Sequence, residues 1–386
     1  MALPVLPVAP VITYIASPPL DTADIDRMRA EGKKVRAAAH RFGATFCLRA
    51  EHPSRAARRL TPWENRLRIC VARSAEEMDR FRETWDRLFA ECPAATLFQS
   101  FAWNRLAAAW FSEREAPFVV LAESDSGIAL IPAAVTQAGV TLLGETLFDY
   151  RDVLWTGAEE VLWAAWKRVA ELRLPLSIVA VRDASEPGPW FPFEPAEFAR
   201  APQVPRAAMT PEAFAAHHSR LGRRLRQLAK QGAALRRYDG DARDLIAWLY
   251  REKSIQLAEH RDNLFRDPRR REFMVAACAL EPASCELFTL EDSGLPIAAL
   301  LTFRDRRVRR FYTVWFDSRW ARLSPGICLI YATTIDALQA GLDCDYMTGE
   351  QPHKMRFAVS FATLYRLHID AGRLASLALG ELARAA

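Results

Sequence analysis

The chain has 386 residues, is 51% hydrophobic and 10% aromatic, and carries a formal net charge of +5. That length exceeds one ordinary core and predicts two domains, and the apolar fraction excludes a disordered chain. No apolar run reaches ~18 residues, which excludes a membrane-spanning helix, and the modest charge admits an anionic ligand without requiring nucleic acid.

Residues 1–60 read as an N-terminal extension. Met1–Pro19 is apolar and rich in proline but lacks a basic n-region, so it reads as a tail rather than a signal peptide. Asp21 to Phe42 is polar, basic and expected to be helical. A packed domain is predicted over residues 61–205. It opens with a strand from Leu67 to Ala72. Ser74 then precedes Glu77 by three positions, a capping-box spacing, and starts a helix whose apolar face is Met78, Phe81, Trp85, Leu88 and Phe89. A second helix is expected from Phe101 to Phe111. Phe118–Glu123 and Ile128–Val135 form a hairpin around Asp125-Ser126-Gly127. A helix from Ala158 to Leu172 and a strand from Leu176 to Val181 follow. Glu186 to Pro211 holds seven prolines and reads as the linker.

The second domain, residues 206–386, is predicted to repeat the order of helices before strands. Helical segments are expected from Pro211 to Arg237, Asp241 to Glu259 and Pro268 to Leu280. Cys285–Leu290, Leu295–Phe303 and Val308–Phe316 then read as a three-stranded meander. After it comes "RLSPGICLIYATTIDALQAG", from Arg322 to Gly341. Ser324 suits the N-cap and Pro325 the first helical position. Apolar residues recur every three or four positions to Leu338, and Gly341 sits where helices end. Such a helix start presents free N–H groups and a positive dipole end, a place for a pyrophosphate, or it is simply a well-capped core helix with no ligand. A strand from Asp343 to Thr348 completes a βαβ-type unit, and ligands of such units lie beyond the carboxyl ends of the strands.

That strand belongs to "DYMTGEQPHKMRFA", Asp345 to Ala358, where Lys354 is one of only six lysines in a chain of 52 basic residues. A second charged stretch holds Arg220, Arg223, Arg224, Arg226, Lys230, Arg236 and Arg237 with no acid among them. Leu221, Leu225 and Leu228 give it one apolar side, so the charges fan over the other. This is a solvated face first. Otherwise it is a site for an anionic acceptor, a nucleotide phosphate or a membrane surface. Aromatic interleaving for nucleic acid is absent. Seven cysteines with no C-x-x-C pair carry no metal signature and suit a reducing cytoplasm.

Taken in this order, "FQSFAW", "FDYRDVLW", "SRLGRRLRQLAKQG", "LSPG" and "DYMTGEQPHKMRF" resemble the GNAT acyltransferase superfamily. The branch is the duplicated FemAB-like one, and the chain resembles its CelD-like bacterial acetyltransferases over roughly residues 65–370. The resemblance implies an α/β fold with mixed sheets, built as two tandem GNAT-like domains behind an N-terminal extension. It implies acyl transfer from a coenzyme A thioester to an amine, with no metal. The pantetheine arm would lie where Val308–Phe316 parts from Asp343–Thr348, bordered by Tyr312 and Trp315. The diphosphate would rest near Ser324, Gly326 and Ile327. The Gly-x-Gly phosphate loop of simple GNAT enzymes is absent, and Pro325-Gly326 stands in its place.

Direct attack needs a base for the amine and an acid for the thiolate. Glu350 and Asp345 are the first candidates for the base, ahead of His353, whose alternative is a solvated loop position. Lys354 is expected to hold a phosphate or the acidic pair. Tyr346 and Tyr331 are candidate acids, or simply core. Tyr150, Arg151 and Asp152, together with Arg223 and Arg224, are candidates for acceptor binding, the Arg151-Asp152 pair being otherwise an ordinary structural salt bridge. The partners implied are acyl-CoA and a small-molecule or lipid amine (an amino sugar, an amino acid or a sphingoid base). The place of action is the cytoplasm, with contact at an anionic membrane surface. Two other readings keep the fold: an aminoacyl-tRNA donor, or a non-catalytic protein docked through the basic helix.

Overall fold

The computed structural model describes residues 67–182, 195–239, 242–261 and 263–379. The expected extension and its helix lie outside these residues. The described chain divides into two compact units: residues 67–198 together with 364–379, and residues 199–363.

In the first unit, β1 (Arg68–Ala72), β2 (Ala116–Ser124), β3 (Gly127–Thr136) and β4 (Gly139–Leu142) form an antiparallel run. β5 (Leu154–Gly157) also pairs with β3, and β6 (Leu176–Arg182) lies parallel to β4. Period-2 alternation splits the side chains between two cores. Val120, Ala122, Ile131 and Ala133 face the helix Glu159–Ala170 and its Trp166. Val119, Leu121, Leu130 and Ala134 face Trp85 and Phe101 of the opposite helices. The helix predicted behind Ser74 is capped: Ser74 Oγ accepts from the Glu77 N–H at 3.2 Å. Glu77 reaches back one residue further than a capping box requires, to the Arg73 N–H at 2.9 Å.

Two expectations change here. The predicted linker 186–211 contains β7 (Ala196–Val204), which pairs with the strand at Cys344 and Asp345. The C-terminal segment does not stay with the second unit. The last strand, β13 (Ser360–Ile369), pairs antiparallel with β6 through Leu364–Ile369. The helix that follows, Ala371–Leu379, buries Leu374 and Leu377 in the core around Trp166.

The second unit is a sheet in the order β7-β12-β11-β10-β9-β8. β8 (Ala234–Asp239), β9 (Cys285–Asp292), β10 (Leu295–Asp305) and β11 (Val308–Phe316) form an antiparallel meander of four strands, one more than expected. Arg236 and Arg237, predicted to end the basic helix, lie in β8. The helix stops at Lys230, and Gly232 takes a φ of 97° that turns the chain into the strand. The helix Pro325–Gln339 crosses over from β11 to the parallel strand β12 (Asp343–Asp345). That helix packs on one face of the sheet with the basic helix Ser219–Lys230, through Leu221, Leu228, Cys328 and Leu329. The helices Arg243–Gln256 and Pro268–Leu280 meet the other face, where Trp248 stands against Trp315 at 4.9 Å and Tyr312 donates to Met274 Sδ at 3.8 Å. Arg309, fully buried, ties β11 to Glu286 at 2.7 Å and to Asp336 of the crossover helix at 2.6 Å.

Candidate active site

β11 and β12 pair over three residues only, Val308–Arg310 against Asp343–Asp345. β12 then ends because Met347 and Gly349 take positive φ values of 65° and 103°. β11 runs on for six more residues to Phe316. Its pairing with β10 shifts register between Leu301 and Thr302, where Phe311 and Thr313 flank an extra residue, Tyr312. Such a bulge twists the strand and re-aims it. Beyond the bulge the Asp317 N–H meets the Ile297 carbonyl at 2.9 Å. Residues 313, 315 and 317 therefore direct their peptide groups toward β10, and Val314 and Phe316 direct theirs to the opposite, open edge.

That open edge is occupied by side chains the sequence did not single out. Lys253 Nζ donates to the Val314 carbonyl at 2.9 Å and to Gln256 Oε1 at 3.0 Å. Gln256 in turn donates to the Phe316 carbonyl at 3.4 Å. The two are three residues apart, on one side of the helix Arg243–Gln256. Lys253 is buried, and desolvation lowers its pKa to about 8. The available signal was its rarity as a lysine in an arginine-rich chain. Nothing in the local pattern says that this residue is buried.

Four predicted residues come together behind the parting strands. Tyr312, Tyr346, His353 and Lys354 line one cavity of about 10 Å³ with Val314 and Ile330, room for a water-sized group. Tyr346 is fully enclosed, and its hydroxyl lies 2.9 Å from Thr334 Oγ1, which itself donates to the Ile330 carbonyl. The Tyr346 proton is therefore held by Thr334, and burial keeps its pKa well above the ordinary phenol value. His353 stands in a single helical turn, Pro352–Met355. Desolvation first, then Lys354, Lys253 and Arg356, lower its pKa to about 4, so it is a neutral imidazole at neutral pH. Lys354, also buried, donates to the Thr348 carbonyl at 2.7 Å.

The first-ranked carboxylates stand elsewhere. Asp345 pairs with Arg310, which also holds Asp305, and accepts the Met347 N–H at 2.8 Å. It fixes the end of β12. Glu350 is half exposed and pairs with Arg200, whose guanidinium also lies over Phe361. In the first unit, Asp152 accepts from the Arg182 N–H at 2.9 Å and from its Nε at 2.7 Å, and that guanidinium covers the Tyr150 ring at 4.8 Å. Arg151 donates to Thr141 at 3.0 Å. All three side chains are buried among partners of their own unit.

At the start of the crossover helix, Ser324 differs from expectation. It sits in the left-handed region, φ 53°, and its side chain makes no cap. Arg224 of the basic helix instead reaches its hydroxyl at 3.2 Å. The first N–H groups of the helix, at Gly326 and Ile327, are left to the ends that helices always leave open. Gly326 packs against β11: an added Cβ would stand 3.3 Å from the Phe316 ring and 3.5 Å from Val314. Arg223 is exposed on the same helix as Arg224. Tyr331 packs in the core with Phe214, its pKa raised by burial.

Residues 215–355 match the family model for the acetyltransferase (GNAT) domain. No curated protein matches the chain by sequence. Among solved structures, the C-terminal domain of a protein assigned as a lysylphosphatidylglycerol synthetase from Agrobacterium fabrum aligns at 12% identity and a TM-score of 0.51, over 78% of this chain and 95% of its own. L-PGS from Bacillus licheniformis aligns at 8% identity and a TM-score of 0.51, over 75% and 92%. FemX aligns at 11% identity and a TM-score of 0.51, over 75% and 96%. At these identities the likeness is one of fold.

Proposed function

We propose that this chain, whose residues 215–355 match the GNAT domain model, is a FemAB-like N-acyltransferase taking its acyl group from a coenzyme A thioester. The observation that carries the reading is the parting of β11 from β12 beside the half-buried imidazole of His353, which lines the cavity there. The donor's arm enters where β11 and β12 part, and its diphosphate rests on the N–H groups at Gly326 and Ile327, with Arg224 as counter-charge. The cavity admits the reacting carbonyl and no more of the donor. His353 takes the proton from the acceptor's ammonium. The free amine attacks the thioester carbon, and an N–C bond forms while charge builds on the carbonyl oxygen. The C–S bond then breaks, the imidazolium, made acidic by Lys354, Lys253 and Arg356, returns the proton to sulfur, and the amide nitrogen gives up its remaining extra proton through the freed imidazole to solvent. The same cations stabilise the oxyanion as it forms. Acceptors are sought among amino sugars, amino acids and long-chain amines, in the cytoplasm or at the inner surface of the membrane.

Release of free thiol from acetyl-CoA and from a long-chain acyl-CoA, measured over a panel of amines, tests this reading. His353→Gln should lower turnover by about 10²–10⁴-fold, the range for a positioned acid–base group, with CoA affinity unchanged. Turnover that survives in the variant would remove His353 as the base. A second reading, an aminoacyl-tRNA donor, is favoured by one feature. Arg220, Arg223, Arg224 and Arg226 are exposed on one helix without an acid among them, a face suited to a polyphosphate backbone.

A further inference from the structure

The charged groups that act on His353 are Lys354 on its own turn, Arg356 just after it, and Lys253 from the helix across the open edge. The nearby carboxylates are committed: Asp345 to Arg310 on β11, and Glu350 to Arg200 on β7. Lys253 has only neutral acceptors, the Val314 carbonyl and the Gln256 amide oxygen. An ammonium offers three hydrogens, and these two acceptors leave one unmet. Desolvation alone perturbs Lys253, so among the described residues no carboxylate relieves it. A buried, unpaired charge is costly, and the cost is removed when an opposite charge is brought to it. Val314 joins the two parts of the arrangement. Its carbonyl holds Lys253, and the residue lines the cavity with His353 and Lys354.

We propose that Lys253, Lys354 and His353 form an anion-recognition subsite beside the cavity, and that the acceptor amine carries its own carboxylate or phosphate. The proposal rests on the acyltransferase reading and narrows its acceptor class. A polyamine or aminoglycoside would bring further positive charge to a cluster of cations, at a Coulomb cost that grows as water is excluded. An amine with an anionic arm neutralises Lys253 and leaves its nitrogen for the imidazole. Lys253 then acts as a positioning residue, and His353 remains the base.

Binding distinguishes this without requiring turnover. Calorimetry on the full chain would compare matched pairs: O-phosphoethanolamine against ethanolamine, and glycine against methylamine. The anionic member of at least one pair should bind at least about tenfold tighter, and the better pair says whether phosphate or carboxylate is preferred. Lys253→Met should abolish the preference. Raising the wild-type protein to about pH 9.5 should abolish it too, because Lys253 then loses its proton while the probes keep their anions. That arm needs no variant to fold. Equal binding within both pairs, or a preference that survives both the variant and the high pH, would overturn the subsite. Failure of CoA to bind would instead remove the acyltransferase reading and leave a measured preference standing.

Discussion

Lys253 keeps its charge at neutral pH against desolvation, and this makes it measurable. Its pKa falls from 10.5 to about 8 on folding. Between those values the unfolded chain binds the proton and the folded one does not, so stability rises as pH increases through that window. The penalty, fully present below about pH 8, is on the order of 3 kcal/mol. Chemical denaturation between about pH 7 and pH 10.5 should show this rise, and Lys253→Met should be more stable at pH 7 and lose the slope. A variant less stable at pH 7 would show that the ammonium's two hydrogen bonds outweigh its desolvation. His353 titrates on the other side of neutrality. Its folded pKa of about 4 predicts that kcat/KM for the free enzyme stays level from neutral pH down to about 5 and falls near 4. An acid limb at about 6.5 would mean a solvated histidine. Lysine is as rare at position 253 as at 354, but burial is not written in a side chain's identity, so rarity alone does not mark Lys253. Asp345 and Glu350 were ranked first for their chemistry. Their distant partners, Arg310 and Arg200, are brought in by β11 and β7 and could not be read from the local stretch.

At the scale of elements, the crossover helix was legible in its length, its apolar spacing and its proline at the first position, which are local signals. Its start was not. Ser324 was expected to cap, yet it lies at φ 53° with its hydroxyl turned to Arg224. Ser324→Gly should raise the melting temperature, by up to about 1 kcal/mol of stability, since glycine accepts that backbone without strain. Arg224→Ala should weaken CoA binding roughly tenfold at low salt and less at high salt, as for a screened charge contact. Salt-independent binding in both proteins would place the diphosphate elsewhere. β8 was hidden for a related reason. Arg236 and Arg237 continued a basic run, and Leu235 is itself half exposed, so no inward-facing alternation marked a strand. Its pairing with β9 decides the matter, and a partner that distant in the chain leaves no local trace.

For the molecule as a whole, two α/β halves with helices before meanders could be read from order alone. The destination of the last strand could not, since a period of two says that a strand exists and not which sheet it joins. Leu364–Ile369 pairs with β6, and Leu374 and Leu377 enter the first unit's core. Each such leucine contributes about 1.5–3 kcal/mol on burial. Removing residues 364–386 should therefore unfold the first unit, seen as loss of near-UV signal from Trp85, Trp103 and Trp166. A truncated chain with native tryptophan spectra would show that the segment is dispensable. The central claim concerns the donor, and calorimetric titration of CoA, acetyl-CoA and a long-chain acyl-CoA into the wild type and Gly326→Trp tests it most directly. The indole would fill the helix start, where even a Cβ stands 3.3 Å from Phe316. Micromolar binding to the wild type, lost in a variant that keeps its fold, is the predicted result. No binding of any thioester to the wild type would contradict it.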